Sequence, residues 1–337
     1  MAKNLTISSA PTSSGLQKIV LSLIASGFMR SFTRAFLLSL FGSLLSLFPI
    51  QAESYLIADN QGGHILETVH ANDKLQVASL TKLALAMVTL DWADLKGSNL
   101  EETTAVPQEA IATTAGINPL GLQAGDVITL RDLLYACLLA SDNVAGYTLA
   151  NYLGQSLPNA TGLDPVGNTV ANMNALARQL GMRHTLFLNP HGLDAPEGAA
   201  QPYSTAADLA RLTRYAYSKP GLAFYVSQKE REIHVQRGAS NLGVVLHNTN
   251  TLLGTENIDG VKTGRTSRAG DCIILTSEHP PEVARQGLTV FTTPRRIIVV
   301  LLNGTNREQE GLALIQRGWA LYDSWAARGR PAKGPAL

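Results

Sequence analysis

Cysteine is scarce in this 337-residue chain: Cys137 and Cys272 are the only two, each inside an apolar stretch, which reads as two buried thiols rather than a disulfide framework. No C-x-x-C occurs and the seven histidines never form H-x-x-x-H, so the usual zinc-ligand spacings are missing and no metal is expected. Neither G-x-G-x-x-G nor G-x-x-x-x-G-K-[ST] is found, which removes the common phosphate cradles; no cofactor is expected. Net charge is only +1, and no basic run interleaves with aromatics, so nucleic acid is not an expected partner. No internal repeat is visible. What is present is 45% hydrophobic and 16% charged residues, enough to bury one large core or two interlocked subdomains.

Long apolar runs are equally scarce, and the prominent one lies near the N-terminus. Arg30 and Arg34 precede the run at 35–50, which ends in Ile50-Gln51-Ala52. Basic, then apolar, then a small residue before a cut is the order of an export leader. Residues 1–52 are therefore expected to be a signal peptide, with Met29 as an alternative start and a mature chain from near Glu53. The run falls short of the ~20 residues that span a bilayer, so membrane association is expected only if this leader is retained. The body is expected over 53–325, followed by a short Pro/Gly-rich disordered tail at 326–337.

Three strings then follow in order: Ser79-Leu80-Thr81-Lys82, Ser141-Asp142-Asn143 and Lys262-Thr263-Gly264. A serine hydroxyl is a weak nucleophile at neutral pH and needs a base within hydrogen-bond reach. Ser79 and Lys82, three apart on a helix, share one face. Free lysine titrates near ~10.4, so Lys82 serves as a base only if burial or a second ammonium such as Lys262 lowers it. Ser141 is suited to relay a proton to a leaving amine, and Asn143 to hold Lys82 and a substrate amide. Lys262 on a strand edge would attract a carboxylate, and Gly264 would admit close backbone approach. The backbone N–H groups of Ser79 and Arg265 are the expected oxyanion hole. Singly, each string has a plainer explanation: a helix cap with a solvated lysine, a helix stop, a hairpin turn. Their joint occurrence favours attack on an amide carbonyl through an acyl-serine.

From about Ser54 to about Trp325 the chain resembles the D-alanyl-D-alanine carboxypeptidase family, the low-molecular-mass penicillin-binding proteins. The resemblance rests on Ala78-Ser79-Leu80-Thr81-Lys82-Leu83, Leu188-Asn189-Pro190-His191-Gly192-Leu193-Asp194, Ser204-Thr205-Ala206-Ala207-Asp208-Leu209, His247-Asn248-Thr249-Asn250 and Asp259-Gly260-Val261-Lys262-Thr263-Gly264-Arg265-Thr266. The Asn-Pro-His-Gly-Leu-Asp string separates it from ordinary β-lactamases. It implies a serine-type D-Ala-D-Ala carboxypeptidase acting on peptidoglycan stem peptides and captured covalently by β-lactam antibiotics. Ser79 would be the nucleophile and Lys82 the base, with Ser141 and Asn143 completing catalysis. Lys262, Thr263, Gly264 and Arg265 would bind substrate, in an exported protein of the periplasm or outer cell envelope.

Some positions depart from that pattern. Many carboxypeptidases of the family carry Arg between the asparagines of Asn-x-Asn; Thr249 stands there instead and looks more like the DD-endopeptidase branch, which cuts cross-links. A serine β-lactamase would need a deacylating base, and no matching glutamate motif lies between Ser141 and Lys262. A non-catalytic wall-binding module is the alternative from outside enzymology, and the intact Ser79 set speaks against it. His191 and Asp194 suggest a Ser-His-Asp triad, yet Ser79 is not in a G-x-S-x-G elbow, so His191 reads as a structural residue at a turn.

Periodicity places these residues on elements. A hairpin is expected around Asn60-Gln61-Gly62-Gly63, and helices from Ser79 to Trp92, over 130–139, 144–153, 169–180 and 205–217, and from Glu308 to Trp325. Strands are expected at 261–263, 271–276, 287–292 and 297–302, with 277–296 a solvated connection marked by Pro280-Pro281 and Pro294. Strands at both ends with helices between them give an α/β (α+β) fold, an antiparallel sheet with an inserted helical subdomain. This agrees with the β-lactamase/transpeptidase-like architecture that the resemblance implies.

Overall fold

The computed structural model describes residues 50–97, 99–114, 118–159, 162–219, 221–331 and 334–337. The expected leader lies outside the described residues except for its last three positions. Among the described residues no helix is long and apolar enough to cross a membrane.

Strands β1 (Ser54–Asp59) and β2 (Ile65–Val69) form the expected hairpin. With β7 (Ile258–Thr266), β8 (Gly270–Gln286) and β9 (Thr289–Gly304) they build a five-stranded antiparallel sheet in the order β2-β1-β9-β8-β7. Lys262 therefore sits on an edge strand. Side chains alternate across the pleat, so β9 serves two cores. Ile297, Val299 and Leu301 face α8 (Arg307–Ala327), meeting Leu314, Ile315 and Trp319. Gly318 lets that helix approach closely, since a Cβ there would lie 2.9 Å from Ile297 Cδ1. Ile298, Val300 and Leu302 face the other way, into the core shared with the helices.

Those helices are α1 (Lys82–Lys96), α2 (Gln108–Thr113), α3 (Leu130–Leu138), α4 (Asn143–Ser156), α5 (Pro165–Gln179), α6 (Ala206–Ala216) and α7 (Leu222–Val226). In α1 the residues from Lys82 through Leu90 are all buried, as expected for a helix segment enclosed by others, and the polar Asp91, Asp94 and Lys96 fall in its more exposed C-terminal part. Thr129, Asp142, Asp164 and Thr205 each cap the helix they precede with a side-chain oxygen.

Four sequence expectations change. Ser79 does not open an α-helix; it lies in a 3-10 turn, Ala78–Thr81, that leads into α1. A second, four-stranded sheet was not foreseen: β3 (Thr103–Ala105), β4 (Val127–Thr129), β5 (Glu230–Arg237) and β6 (Ser240–His247), in that order. Residues 277–296 are not a loop but a continuation of β8 and β9 into a two-stranded ribbon. The prolines that argued against strand fall at a break in register between His279 and Glu282, where a missing N–H costs no ladder bond. In the segment expected to be a disordered tail, α8 runs to Ala327 and Leu337 N donates to Gly63 O at 2.9 Å.

Candidate active site

Ser79 and Lys82 meet because a 3-10 turn stacks residues i and i+3 almost directly. Lys82 Nζ lies 2.9 Å from Ser79 Oγ, 2.7 Å from Asn143 Oδ1 and 2.9 Å from the backbone oxygen of His191. The side chain is fully buried at the start of α1. Burial pushes its pKa down from 10.5 to about 8, against the opposing influence of Cys137 and Asp142. Such an amine is a usable base near neutral pH.

Three segments build the walls. The Ser141-Asp142-Asn143 string turns between α3 and α4, with Ser141 in the left-handed region at φ 59°. Asp142 faces away from the cleft: its buried carboxylate accepts from Ala145 N at 2.8 Å and Leu120 N at 3.3 Å, capping α4 and tying down the loop of Asn118 and Pro119. Ser141 and Asn143 line the cleft itself. The Asn-Pro-His-Gly-Leu-Asp string forms the second wall, and its backbone matters most. Gly192, at φ 85°, packs so closely that a Cβ would sit 1.9 Å from Ala78 O, and Asn189 Oδ1 accepts from Gly192 N at 2.6 Å. That loop presents the His191 carbonyl to Lys82. The His191 ring is buried, and burial with the nearby Lys82 charge pushes its pKa down to about 3. It accepts from Leu193 N at 3.3 Å, which leaves it a structural histidine and no triad member.

Edge strand β7 is the third wall. Gly264 lies against the nucleophile turn, where a Cβ would be 3.0 Å from Val77 O and 3.1 Å from Ser79 N. Thr263 Oγ1 is 2.6 Å from Thr249 Oγ1, and Thr249 N donates to Leu139 O at 3.0 Å. Lys262 is placed differently from expectation. It is buried beneath the lining, with Nζ donating to Thr263 O at 2.9 Å. Burial first, then the charges of Lys82 and Arg307, drive its pKa well down. The cations that do line the cleft are Arg265, whose side chain is 74% exposed, and Arg307 at the start of α8. Arg307 was not singled out from sequence, because no motif spacing ties it to β7. Asp271 lies between the two guanidiniums, at 3.5 and 3.8 Å.

The result is a cleft of about 470 Å³ bounded by Ser79, Asn118, Ser141, Asn143, Thr249 and Arg265, among others. It adjoins a groove of about 880 Å³ with which it shares Leu193, Arg265 and Thr266. Among the described residues no cluster of His, Cys, Asp and Glu could hold a metal ion. Cys137 and Cys272 are buried free thiols, and burial pushes both pKa values up to about 12.

A family model described as D-alanyl-D-alanine carboxypeptidase matches residues 45–283. The chain is 30% identical to D-alanyl-D-alanine carboxypeptidase DacC of Escherichia coli (strain K12), over 68% of this chain and 54% of that protein. It thus spans just over half that relative's length. It is 33% identical to a D-alanyl-D-alanine endopeptidase of Pseudomonas aeruginosa, over 67% of this chain and 68% of that one. Its fold is similar to the crystal structure of the Streptomyces K15 DD-transpeptidase, with a TM-score of 0.68 at 25% identity, covering 81% of this chain and 98% of that chain.

Proposed function

The chain belongs to the D-alanyl-D-alanine carboxypeptidase family, and from that premise we propose that it is a serine-type carboxypeptidase of peptidoglycan stem peptides, working through an acyl-serine that β-lactams also form. The observation that carries this reading is the 2.9 Å contact between Ser79 Oγ and a buried Lys82 whose pKa is about 8. Neutral Lys82 takes the Ser79 proton as Oγ attacks the carbonyl of the penultimate D-Ala. Developing negative charge on that oxygen is met by backbone N–H groups, of which Ser79 N beside Gly264 is one and Arg265 N the other. Ser141 and Lys82 return a proton to the departing amine, and water then releases the acyl group. The terminal carboxylate faces Arg265 and Arg307, the charged groups on the lining, with the Thr263 and Thr249 hydroxyls beside them. Lys262 acts from below, holding Thr263 O.

A second reading, cleavage of cross-links, is favoured by one feature. The adjoining groove of about 880 Å³ gives a second peptide strand somewhere to lie; Thr249, in the catalytic cleft itself, adds no third guanidinium to Arg265 and Arg307. The basic-then-apolar order before Ala52 supports export to the cell envelope, with the leader at 1–52 removed. N-terminal sequencing of protein recovered from the envelope fraction should begin near Glu53.

Intact-mass analysis after incubation with penicillin tests the chemistry, followed by product analysis on muropeptides. A stable adduct on Ser79, absent in Ser79→Ala, with D-Ala released, is the expected result. Cleaved dimers without free D-Ala would move the assignment to the endopeptidase, and an adduct that survives Ser79→Ala would overturn the mechanism.

A further inference from the structure

The ribbon of β8 and β9 beyond the sheet is a large feature that acyl transfer does not use. Every residue from Pro280 to Thr292 is exposed. Yet the tip is apolar: Val283, Val290 and Phe291 are each more than half exposed, and Leu288 at the turn is wholly so. From 283 to 292 there is no carboxylate, and Arg285 is the single charge. We propose that this tip is a lipid-docking device that seats in an anionic bilayer surface.

The pairing register separates a lipid surface from a protein groove. Residues directly opposite share a face, so Val283, Arg285, Val290 and Thr292 point one way, and Ala284, Gln286, Thr289 and Phe291 the other. A ribbon built to lie on a protein would carry its apolar side chains on one face. Here bulky apolar groups stand on both faces and on the turn, which suits immersion in the headgroup and acyl boundary. Charge points the same way. The acids at the base are neutralised, Glu282 by Arg330 and Arg295 and Glu278 by Arg296, while Arg285 makes no ion pair with any described residue. A free cation on a tip without carboxylates complements anionic headgroups.

The base holds the ribbon in place. His279 stacks on Trp319 of α8 with ring centroids 3.6 Å apart, and Arg295 Nη2 reaches Asp323 at 2.6 Å. The tip and the cleft are at opposite ends of one strand: Gly264 pairs with Cys272, whereas Gln286 pairs with Thr289. At about 3.3 Å per residue along β8 that separation is on the order of 45 Å. A seated tip would hold the cleft that far from the bilayer. This attachment is separate from any retained leader, and it does not depend on the catalytic reading.

The test uses the full chain with phosphatidylcholine vesicles, with and without phosphatidylglycerol. A Leu288→Cys variant carrying a polarity-sensitive fluorophore should shift to the blue on anionic vesicles. Leu288→Ser with Phe291→Ser should lower vesicle partition about tenfold or more relative to the native chain, which carries the same N-terminal run. Arg285→Gln should weaken binding only where phosphatidylglycerol is present. Penicillin acylation of these variants should match the native chain, showing that the fold is intact. Unchanged partition in the double variant, or a label that stays water-like on vesicles that bind the protein, would overturn the proposal. So would native self-association in light scattering that the double variant loses without any vesicle binding, which would assign the tip to a second copy.

Discussion

At the floor of the cleft, Lys82 and Lys262 are buried amines whose pKa values are driven down mainly by the loss of water. At its rim, Arg265 and Arg307 are guanidiniums open to the cleft. The same formal charge is thus handled in opposite ways. An ammonium can release its proton when burial makes the charged form costly, which creates a base. A guanidinium cannot, and it offers a rigid fork of donors suited to a carboxylate. Lys82 at the floor is thus suited to proton transfer and the guanidiniums at the rim to anion recognition, and a guanidinium could not take over the base role.

Exchanging the types breaks this contrast most severely. Lys82→Arg should keep a cation at the floor but remove the base, lowering the second-order rate of penicillin acylation about a thousandfold while the melting temperature shows the protein still folded. The pH profile sharpens the comparison without mutation. Because the neutral amine is the reactive form and its pKa is about 8, acylation should fall about tenfold per pH unit below that value and level off above it. A profile flat from pH 6 to 9 would show that Lys82 is not the base. The rim should give the smallest effect: Arg307→Gln should raise KM for a peptide with a free terminal carboxylate about tenfold, with kcat little changed. The same substitution should be nearly silent on a C-terminally amidated peptide, which separates anchoring from a general loss of structure.

How far the sequence carried these conclusions depended on what kind of group was involved. Side chains in short, ordered strings were legible: Lys82 contacts both Ser79 and Asn143, and Thr263 lines the same cleft. Backbone contributions were not. The His191 carbonyl leaves no residue-type signal, and only the demand for Gly192 beside Ala78 O explains why that loop must take its shape. Arg307 lies beyond the matched stretch and reaches the cleft only because α8 folds back over the sheet. The second sheet did carry a signal: Ile233 and Val235 alternate with polar residues across a turn from Leu242, Val244 and Leu246. With so few apolar positions on each strand, that period was easily passed over. In the ribbon, the strand expected at 287–292 is present within β9, but the prolines that mark 277–296 as a connection stand at a bulge inside paired strands, and a bulge has no sequence signal distinct from a loop.

The three contacts of Lys82 Nζ have a consequence for which way a hydrogen points. As an ammonium it carries three hydrogens, and each finds an acceptor in Ser79 Oγ, Asn143 Oδ1 or His191 O. As a neutral amine it has two hydrogens and one lone pair, so one of those contacts must reverse. A carbonyl oxygen cannot donate, and the Asn143 amide oxygen cannot either. The hydroxyl alone has a hydrogen to give. Removing a proton from the lysine thus turns the Ser79 hydrogen toward nitrogen and frees the oxygen lone pairs for the incoming carbonyl. The valence of the neighbours, with no movement of heavy atoms, aims the nucleophile.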